Sequence, residues 1–305
     1  MIYKTRDGSE IRGNEGQDRF LAALYGTRAG RAAVRFLVRP AVSKIGGAFL
    51  NSAFSRLLIK PFVEKNQIDL SLYEPEQYPS YNAFFTRKIR SGLRPFDTRP
   101  SHLVSPCDAK LTVCPVSEGG RLLVKETAYT VISLLRDEKL ARRYYGGQAL
   151  IFRLTVDDYH HYFYPADGRK SRNRTIPGVL HTVNPAAGDV YPIYKENFRQ
   201  YCLIKTSAFG TILMMEVGAL MVGKIKNHHP EARAVSRGEE KGYFEFGGST
   251  VILLLQPGAA RLDADLLNNS LEGAETIVKA GERIGQQSNI DEEKETDAFH
   301  RRHDG

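Results

Sequence analysis

From about residue 99 onward the chain alternates short apolar or β-branched runs with turn residues, and that alternation is what most narrows the folds open to it. Leu150–Val156, Gly178–Val183, Tyr201–Thr206, Thr211–Ile225 and Thr250–Leu255 have the length and composition of strands. Ser207–Gly210 reads as a hairpin connection between two of them. One long helix interrupts the pattern, with Thr130 as N-cap, Val131–Tyr145 as body and Gly146–Gly147 as stop. The expected class is α+β: a β-rich body carrying an N-terminal helical segment.

That N-terminal segment is chemically distinct. Between Arg19 and Phe62 stand eight cations (Arg19, Arg28, Arg31, Arg35, Arg39, Lys44, Arg56 and Lys60) and no acid. They equal the whole surplus of the chain, whose 43 Lys and Arg face 35 Asp and Glu for a net +8. Residues 17–64 read as two or three helices, broken at Pro40 and Gly46–Gly47, with Pro61 late in the last. Arg28, Arg31, Arg35 and Arg39 fall on one helical stripe, with Phe36, Leu37, Val38, Leu50, Phe54, Leu57 and Leu58 as apolar neighbours. Such a segment suits an anionic membrane surface, each near-surface cation contributing on the order of 1 kcal/mol. A solvated helical face packed on the rest of the protein is the competing explanation. Nucleic acid ranks last, since no recognised motif accompanies the charge and Trp is absent.

The remaining composition excludes several classes. Three cysteines (Cys107, Cys114, Cys202) in 305 residues make no disulfide framework, and no Cys/His cluster suggests zinc. The cysteines read as structural, in a reducing compartment. His228-His229-Pro230 reads as solvated rather than metal-binding, and His181 as a strand residue. The longest apolar stretch, Leu213–Gly223, contains Glu216 and is too short to span a bilayer. The N-terminus shows no apolar signal core, and Asp7, Glu10, Glu15 and Asp18 argue against a transit peptide. Residues 66–83 form a Tyr- and Pro-rich connector, after which Ser80 caps a short helix through Arg90. The last fifteen residues, with six acids and three bases, read as a disordered tail.

The run Phe244-Glu245-Phe246-Gly247-Gly248-Ser249-Thr250-Val251 carries the chemistry. Taken alone, Gly-Gly-Ser-Thr is a bulge or turn between strands. It is also a candidate self-cleavage site: without a Cβ, Gly248 lets a strained backbone present its carbonyl to the Ser249 hydroxyl. Attack converts the peptide to an ester. Elimination at Ser249 and loss of ammonia then leave a pyruvoyl group, a ketone able to form a Schiff base with an amino substrate and to accept electrons as carbon dioxide leaves.

The neighbouring blocks complete a pattern. They are Phe84-Phe85-Thr86-Arg87 with Arg94-Pro95-Phe96; Ser105-Pro106-Cys107-Asp108; Lys125 and Tyr129 before Leu134-Leu135; Asp158-Tyr159-His160 with Pro165; Val183-Asn184-Pro185; Glu196-Asn197; Glu216-Val217-Gly218-Ala219 with Val222-Gly223; Arg237 through Gly242; Phe246 through Thr250; and Gly281 through Gly285. In this order, over about residues 80–285, they resemble the phosphatidylserine decarboxylase family. The resemblance implies a proenzyme cut between Gly248 and Ser249, and conversion of phosphatidylserine to phosphatidylethanolamine through a covalent pyruvoyl group (pyruvate) made from Ser249. It implies chains of 248 and 57 residues associated as a heterodimer, with a homodimer of such heterodimers as a further assembly; a peripheral location on the cytoplasmic face of a bacterial cell membrane is expected from the missing targeting signals and few cysteines. A decarboxylase of another amino head group, or an inactive membrane-binding relative, are the alternatives. The domain expectation is 1–65 basic amphipathic helices, 66–98 connector, 99–287 β-rich catalytic domain and 288–305 tail.

By the same resemblance, self-cleavage uses an Asp–His–Ser constellation in which a carboxylate orients the base that takes the serine proton. Asp108 and Ser249 match the family's positions. The family's two histidines, Asp-Tyr-His-x-x-His-x-Pro, are reduced to one, because Phe163 stands at the second position; His160 is therefore the expected base, with a further role in turnover. On a strand His161 points to the opposite face and takes a structural role. Ala109 and Glu126 also depart from the family, which has Gly at both places.

Overall fold

The structure, a computed structural model, describes residues 2–12, 27, 40–75, 77–124, 127–178, 193–218, 224–245 and 249–288. Two strands open the chain, β1 (Ile2–Lys4) and β2 (Glu10–Arg12). Helices α1 (Pro40–Leu50) and α2 (Ile59–Asn66) follow, linked by a 3₁₀ turn over Ala53–Leu58, and then α3 (Tyr81–Phe85). The body begins with β3 (His102–Val104), β4 (Ala109–Pro115), β5 (Arg121–Val124), β6 (Thr127–Thr130), α4 (Val131–Leu135) and α5 (Glu138–Ala141). It continues through β7 (Gln148–Leu154), β8 (His161–Phe163), β9 (Gly168–Lys170), β10 (Arg174–Ile176) and α6 (Ile193–Glu196). After these come β11 (Arg199–Lys205), β12 (Thr211–Val217), β13 (Ile225–Asn227), β14 (Arg233–Val235) and β15 (Glu240–Phe244). The chain closes with β16 (Ser249–Leu255), β17 (Ala260–Leu262), α7 (Ala264–Leu271), β18 (Glu275–Val278) and β19 (Arg283–Gln287).

The main sheet runs β14-β9-β11-β12-β16-β7-β4-β18-β1-β2, with β10 also on β11; among the described residues only the β1–β18 pairing is parallel. Both faces of its centre are covered. On one side Ile151, Leu213, Met215, Ile252 and Leu254 pack with Leu134, Leu135, Leu140 and Tyr144. On the other, Phe152, Met214, Val251 and Leu253 pack with Tyr162, Tyr164, Phe244 and Leu266. Burial on both faces is why β16 reads as an unbroken apolar run rather than an alternating one. Two small sheets, β13-β15-β8 and β17-β19-β3, and the β5–β6 hairpin complete the body.

The α+β class agrees with the sequence expectation, and so does the hairpin: Thr206 and Gly210 close the β11–β12 turn by a backbone bond. Several local expectations are corrected. The helix predicted over Val131–Tyr145 keeps its Thr130 cap but stops at Arg136, which turns left-handed (φ 51°) while Asp137 caps a second helix by accepting from the Leu140 amide. Ser80 caps α3 as expected, yet that helix ends at Phe85 rather than Arg90. The strand predicted over Thr211–Ile225 ends at Val217, and Ile225 belongs to another sheet. Residues 2–12 are strands of the main sheet, not part of a helical region over 1–65, because β1 finds an open edge at β18.

Gly46–Gly47 lies inside α1, where a break was expected; glycine costs a helix only about 1 kcal/mol, and Leu50 anchors α1 to Tyr81, Phe84 and Phe85. Pro61 falls in the first turn of α2, where its missing N–H is not needed. The arginine stripe Arg28–Arg39, Gly178–Val183 beyond Gly178, and residues 289–305 lie outside the described residues. Among the described residues no helix is long and apolar enough to cross a membrane.

Candidate active site

Strand pairing brings Ser249 and Asp108 to one end of the main sheet, and His160 follows along the chain from that end. Ser249 opens β16 opposite Leu154, the last residue of β7. The Lys110–Arg153 pairing sets Ala109 alongside Leu154, so Asp108 lies just beyond that end, two strands from Ser249, or about 10 Å at ordinary strand spacing. His160 follows six residues after Leu154, and its carbonyl accepts from the Phe244 amide, five residues before Ser249. Gly248, the other side of the expected scissile bond, lies outside the described residues, as do Lys125, Glu126 and His181.

Ser249 is fully buried and its hydroxyl has no hydrogen-bond partner. It shares the face of Val251, Leu154 and Ala109, an apolar setting. His160 is equally buried, its ring 4.0 Å from that of Phe85. Its Nδ1–H donates to the Asp158 carbonyl at 2.9 Å, since a carbonyl can only accept; Nε2 therefore carries the lone pair, and it too is unpartnered. Burial pushes the His160 pKa down to about 3, with the charge of Arg87 acting in the same direction and Asp158 opposing it. The side chain is neutral at physiological pH.

The carbonyl that orients His160 is itself held. The Asp158 carboxylate accepts from the Thr155 amide at 2.7 Å, the Thr155 hydroxyl at 2.8 Å and Lys110 Nζ at 2.7 Å. Burial works against this charge, yet Lys110, Lys279 and these hydrogen bonds keep its carboxyl below the usual carboxylate range. Asp108 serves different partners: Arg94 (Nε at 3.2 Å, Nη2 at 2.7 Å), the Ala280 amide at 2.9 Å and Lys279 Nζ at 3.3 Å. It ties the β3–β4 turn to the β18–β19 turn, and it is not hydrogen-bonded to His160.

His161 is hydrogen-bonded through one nitrogen and faces a carboxylate with the other. Nε2 bonds the Thr86 carbonyl at 3.2 Å, Nδ1 lies 3.0 Å from Glu240, and the ring is stacked between Tyr159 and Tyr243. Glu240 also meets His228 Nε2 at 2.7 Å. Phe163, at the second family histidine position, packs its ring 5.1 Å from Phe96. Gly281 (φ +86°) lets the β18–β19 turn press on that same Phe96, where a Cβ would come within 2.8 Å of the ring. Deeper on the Ser249 face, Glu216 and Lys241 form a fully buried pair at 2.7 Å, with Lys241 also bonding Asn227. Burial pushes the Glu216 pKa up despite Lys241. The three cysteines are free and buried, and burial raises their thiol pKa values, to about 12 for Cys114 and about 11 for Cys202.

The model of one family, described as phosphatidylserine decarboxylase, matches residues 81–286. The chain belongs to the phosphatidylserine decarboxylase family. It is 45% identical over 267 residues to a phosphatidylserine decarboxylase proenzyme 2 of Clostridium acetobutylicum, covering 87% of this chain and 91% of the relative. Proenzymes of the same name from Ruminiclostridium cellulolyticum (40% over 272 residues, 88% and 91% covered) and Chlamydia felis (36% over 274 residues, 88% and 92%) are similar throughout. The matched span contains Asp108, His160 and Ser249, and excludes the basic segment before residue 81. In this family member the groups that sequence reasoning missed are Arg94, Lys279 and the Ala280 amide around Asp108, and the Asp158 carbonyl on His160. Arg94 stood in a recognised block, but nothing local linked it to Asp108.

Proposed function

We propose that this chain is a self-cleaving proenzyme that decarboxylates phosphatidylserine to phosphatidylethanolamine, with Ser249 as the source of its reactive carbonyl and His160 as the base. The observation that carries this is the pair of unsatisfied buried groups, the Ser249 hydroxyl and the neutral Nε2 of His160, the latter on the segment that follows Leu154, the strand partner of Ser249. Leaving a buried hydroxyl without a partner costs about 1–3 kcal/mol, which a chain tolerates where the group has work to do.

In self-cleavage His160 Nε2 takes the Ser249 proton as Oγ adds to the Gly248 carbonyl. The Gly248–Ser249 C–N bond breaks, the proton passes to the departing nitrogen, and an ester remains. Removal of the Ser249 Cα proton expels the Gly248 carboxylate; water then replaces nitrogen, releasing ammonia and leaving the ketone. A pyruvoyl group fits here, since the position is buried, starts a strand and has no side-chain bond to break. Once formed it supplies a carbonyl that condenses with a primary amine and takes up the electron pair left by carbon dioxide. Around it, Leu154, Val251 and Ala109 exclude water and favour loss of a charged carboxylate as neutral gas. His160 is placed to hold and return protons. Asp108, fixed by Arg94 and Lys279, anchors the turns that frame the site.

The fragment following the cut supplies β16, between β12 and β7, and β18, between β4 and β1. Two chains woven through one sheet stay together as a heterodimer. For the helical segment we favour peripheral docking on the anionic cytoplasmic face of a bacterial membrane: Ile45, Phe49, Phe54 and Leu57 are more than half exposed, beside Arg56 and Lys60. Denaturing electrophoresis and vesicle assays test the whole proposal. Two fragments and turnover of phosphatidylserine, but not of free serine, are expected; one intact chain without turnover sinks it.

A further inference from the structure

Six Lys or Arg side chains are buried among the described residues: Arg87, Lys110, Arg153, Lys170, Arg199 and Lys241. Of these six, only Arg87 has buried N–H groups, Nε and Nη1, with no acceptor. Arg153 is matched to Glu275, Lys241 to Glu216 and Lys110 to Asp158, while Lys170 and Arg199 bond backbone carbonyls. Arg87 makes two long bonds from Nη2, to the Tyr73 hydroxyl at 3.3 Å and the Asp157 carbonyl at 3.4 Å. Its guanidinium carbon sits over the Tyr73 and Phe84 rings, 4.4 and 4.8 Å from their centroids. With two rings this close, Nε and Nη1 are the donors that remain unsatisfied. A desolvated guanidinium without an anion is costly, so the arrangement is one that an incoming oxyanion completes.

The place of Arg87 says which process the anion joins. Phe84 lies against Arg87 and Phe85 against His160; Arg87 reaches the Asp157 carbonyl and His160 the Asp158 carbonyl. The two side chains are thus mounted side by side on the same two segments. We propose that Arg87 receives the phosphodiester of the lipid substrate and positions its head group beside His160. The phosphodiester is favoured over the substrate carboxylate for a chemical reason. A guanidinium paired with the carboxylate would stabilise the charge that decarboxylation must remove and would be left bare as carbon dioxide departs. The phosphodiester keeps its charge throughout, and the planar fork matches it.

The inference rests on the decarboxylase reading, and the test keeps the two apart. Full-length wild type, Arg87→Gln and Arg87→Lys are compared. Electrophoresis first reports self-cleavage. KM and kcat for phosphatidylserine are then measured, together with the Kd of a short-chain phosphatidylethanolamine, which keeps the phosphate and lacks the carboxylate, by calorimetry. Cleaved Arg87→Gln with KM and Kd both raised about tenfold or more, and Arg87→Lys between it and wild type, is the expected result. A raised KM with unchanged Kd transfers Arg87 to the carboxylate and overturns the proposal. Unchanged constants, or a shifted pH profile alone, overturn it as well. If Arg87→Gln is not cleaved, Arg87→Lys decides by the same two constants; failure of both to cleave assigns Arg87 to folding or processing, against the proposal. Absence of turnover in wild type would instead defeat the decarboxylase reading.

Discussion

Protonation of His160 limits how much acid this fold tolerates. The imidazole is fully buried against Phe85, donates from Nδ1 to the Asp158 carbonyl, and has no acceptor at Nε2. A second proton would create a buried cation without a partner, and burial accordingly holds the pKa at about 3, against 6.5 for an ordinary histidine. In the unfolded chain the ring takes up a proton near pH 6.5. The contribution is therefore fully intact above that pH, falls as the pH drops, and stops falling near pH 3, where the folded state also titrates. At about 1.4 kcal/mol per pH unit, the loss at pH 4.5 is about 3 kcal/mol. His160→Gln removes this dependence, whatever its pH-independent packing cost. Urea unfolding at pH 7.5 and 4.5, in a Ser249→Ala background that stays one chain, measures it. The stability gap between the His160→Gln protein and its histidine-bearing parent should shift by about 3 kcal/mol in favour of glutamine on going to pH 4.5. An identical gap at both pH values would mean that the imidazole is not a buried neutral group, and the free lone pair assigned to Nε2 would go with it.

Ser249→Ala is expected to remain a single band of 34.2 kDa, whereas wild type yields fragments of 248 and 57 residues, the shorter blocked to N-terminal sequencing. His160→Ala should slow that cleavage by about 10²–10⁴-fold, followed by timed electrophoresis after synthesis; a normal rate removes His160 from the role of base. Lys241→Met leaves the Glu216 carboxylate buried without its cation and should cost about 3–5 kcal/mol in urea unfolding, with Glu216→Leu added to it recovering most of the loss. Phe54→Asp with Leu57→Asp should weaken binding to anionic vesicles about a hundredfold in a flotation assay without affecting self-cleavage; unchanged binding would place the membrane contact elsewhere.

Much of the candidate site was legible in order along the chain. The apolar run Thr250–Leu255 marked a strand, and in the structure that strand begins one residue earlier, at Ser249. Phe163 in place of a second histidine left His160 as the expected base, and its Nε2 is buried without a partner. The orienting partner was not legible. An Asp–His pairing was expected from Asp108, whereas the acceptor on His160 is the backbone of Asp158, two residues away, and Asp108 is held by Arg94, Lys279 and the Ala280 amide. A carbonyl has no signature in a sequence, and the partners of Asp108 come from segments 14 and more than 170 residues distant.

The sequence by itself determined what depends on neighbours along the chain. Periodicity marked the strands, Thr130 and Ser80 the helix starts, Ser207–Gly210 the hairpin, and the order of motif blocks the family. Tertiary structure alone decided where the first residues go: β1 leaves the helical region and joins β18, near the other end of the chain, in a parallel pairing. It also decided which polar atoms stay unsatisfied, those of Ser249, His160 and Arg87 among them. Hydrophobic pattern and capping act over a few residues, so they leave a trace in sequence. Desolvation does not: whether a hydroxyl, an imidazole or a guanidinium keeps a partner depends on which distant strands close over it.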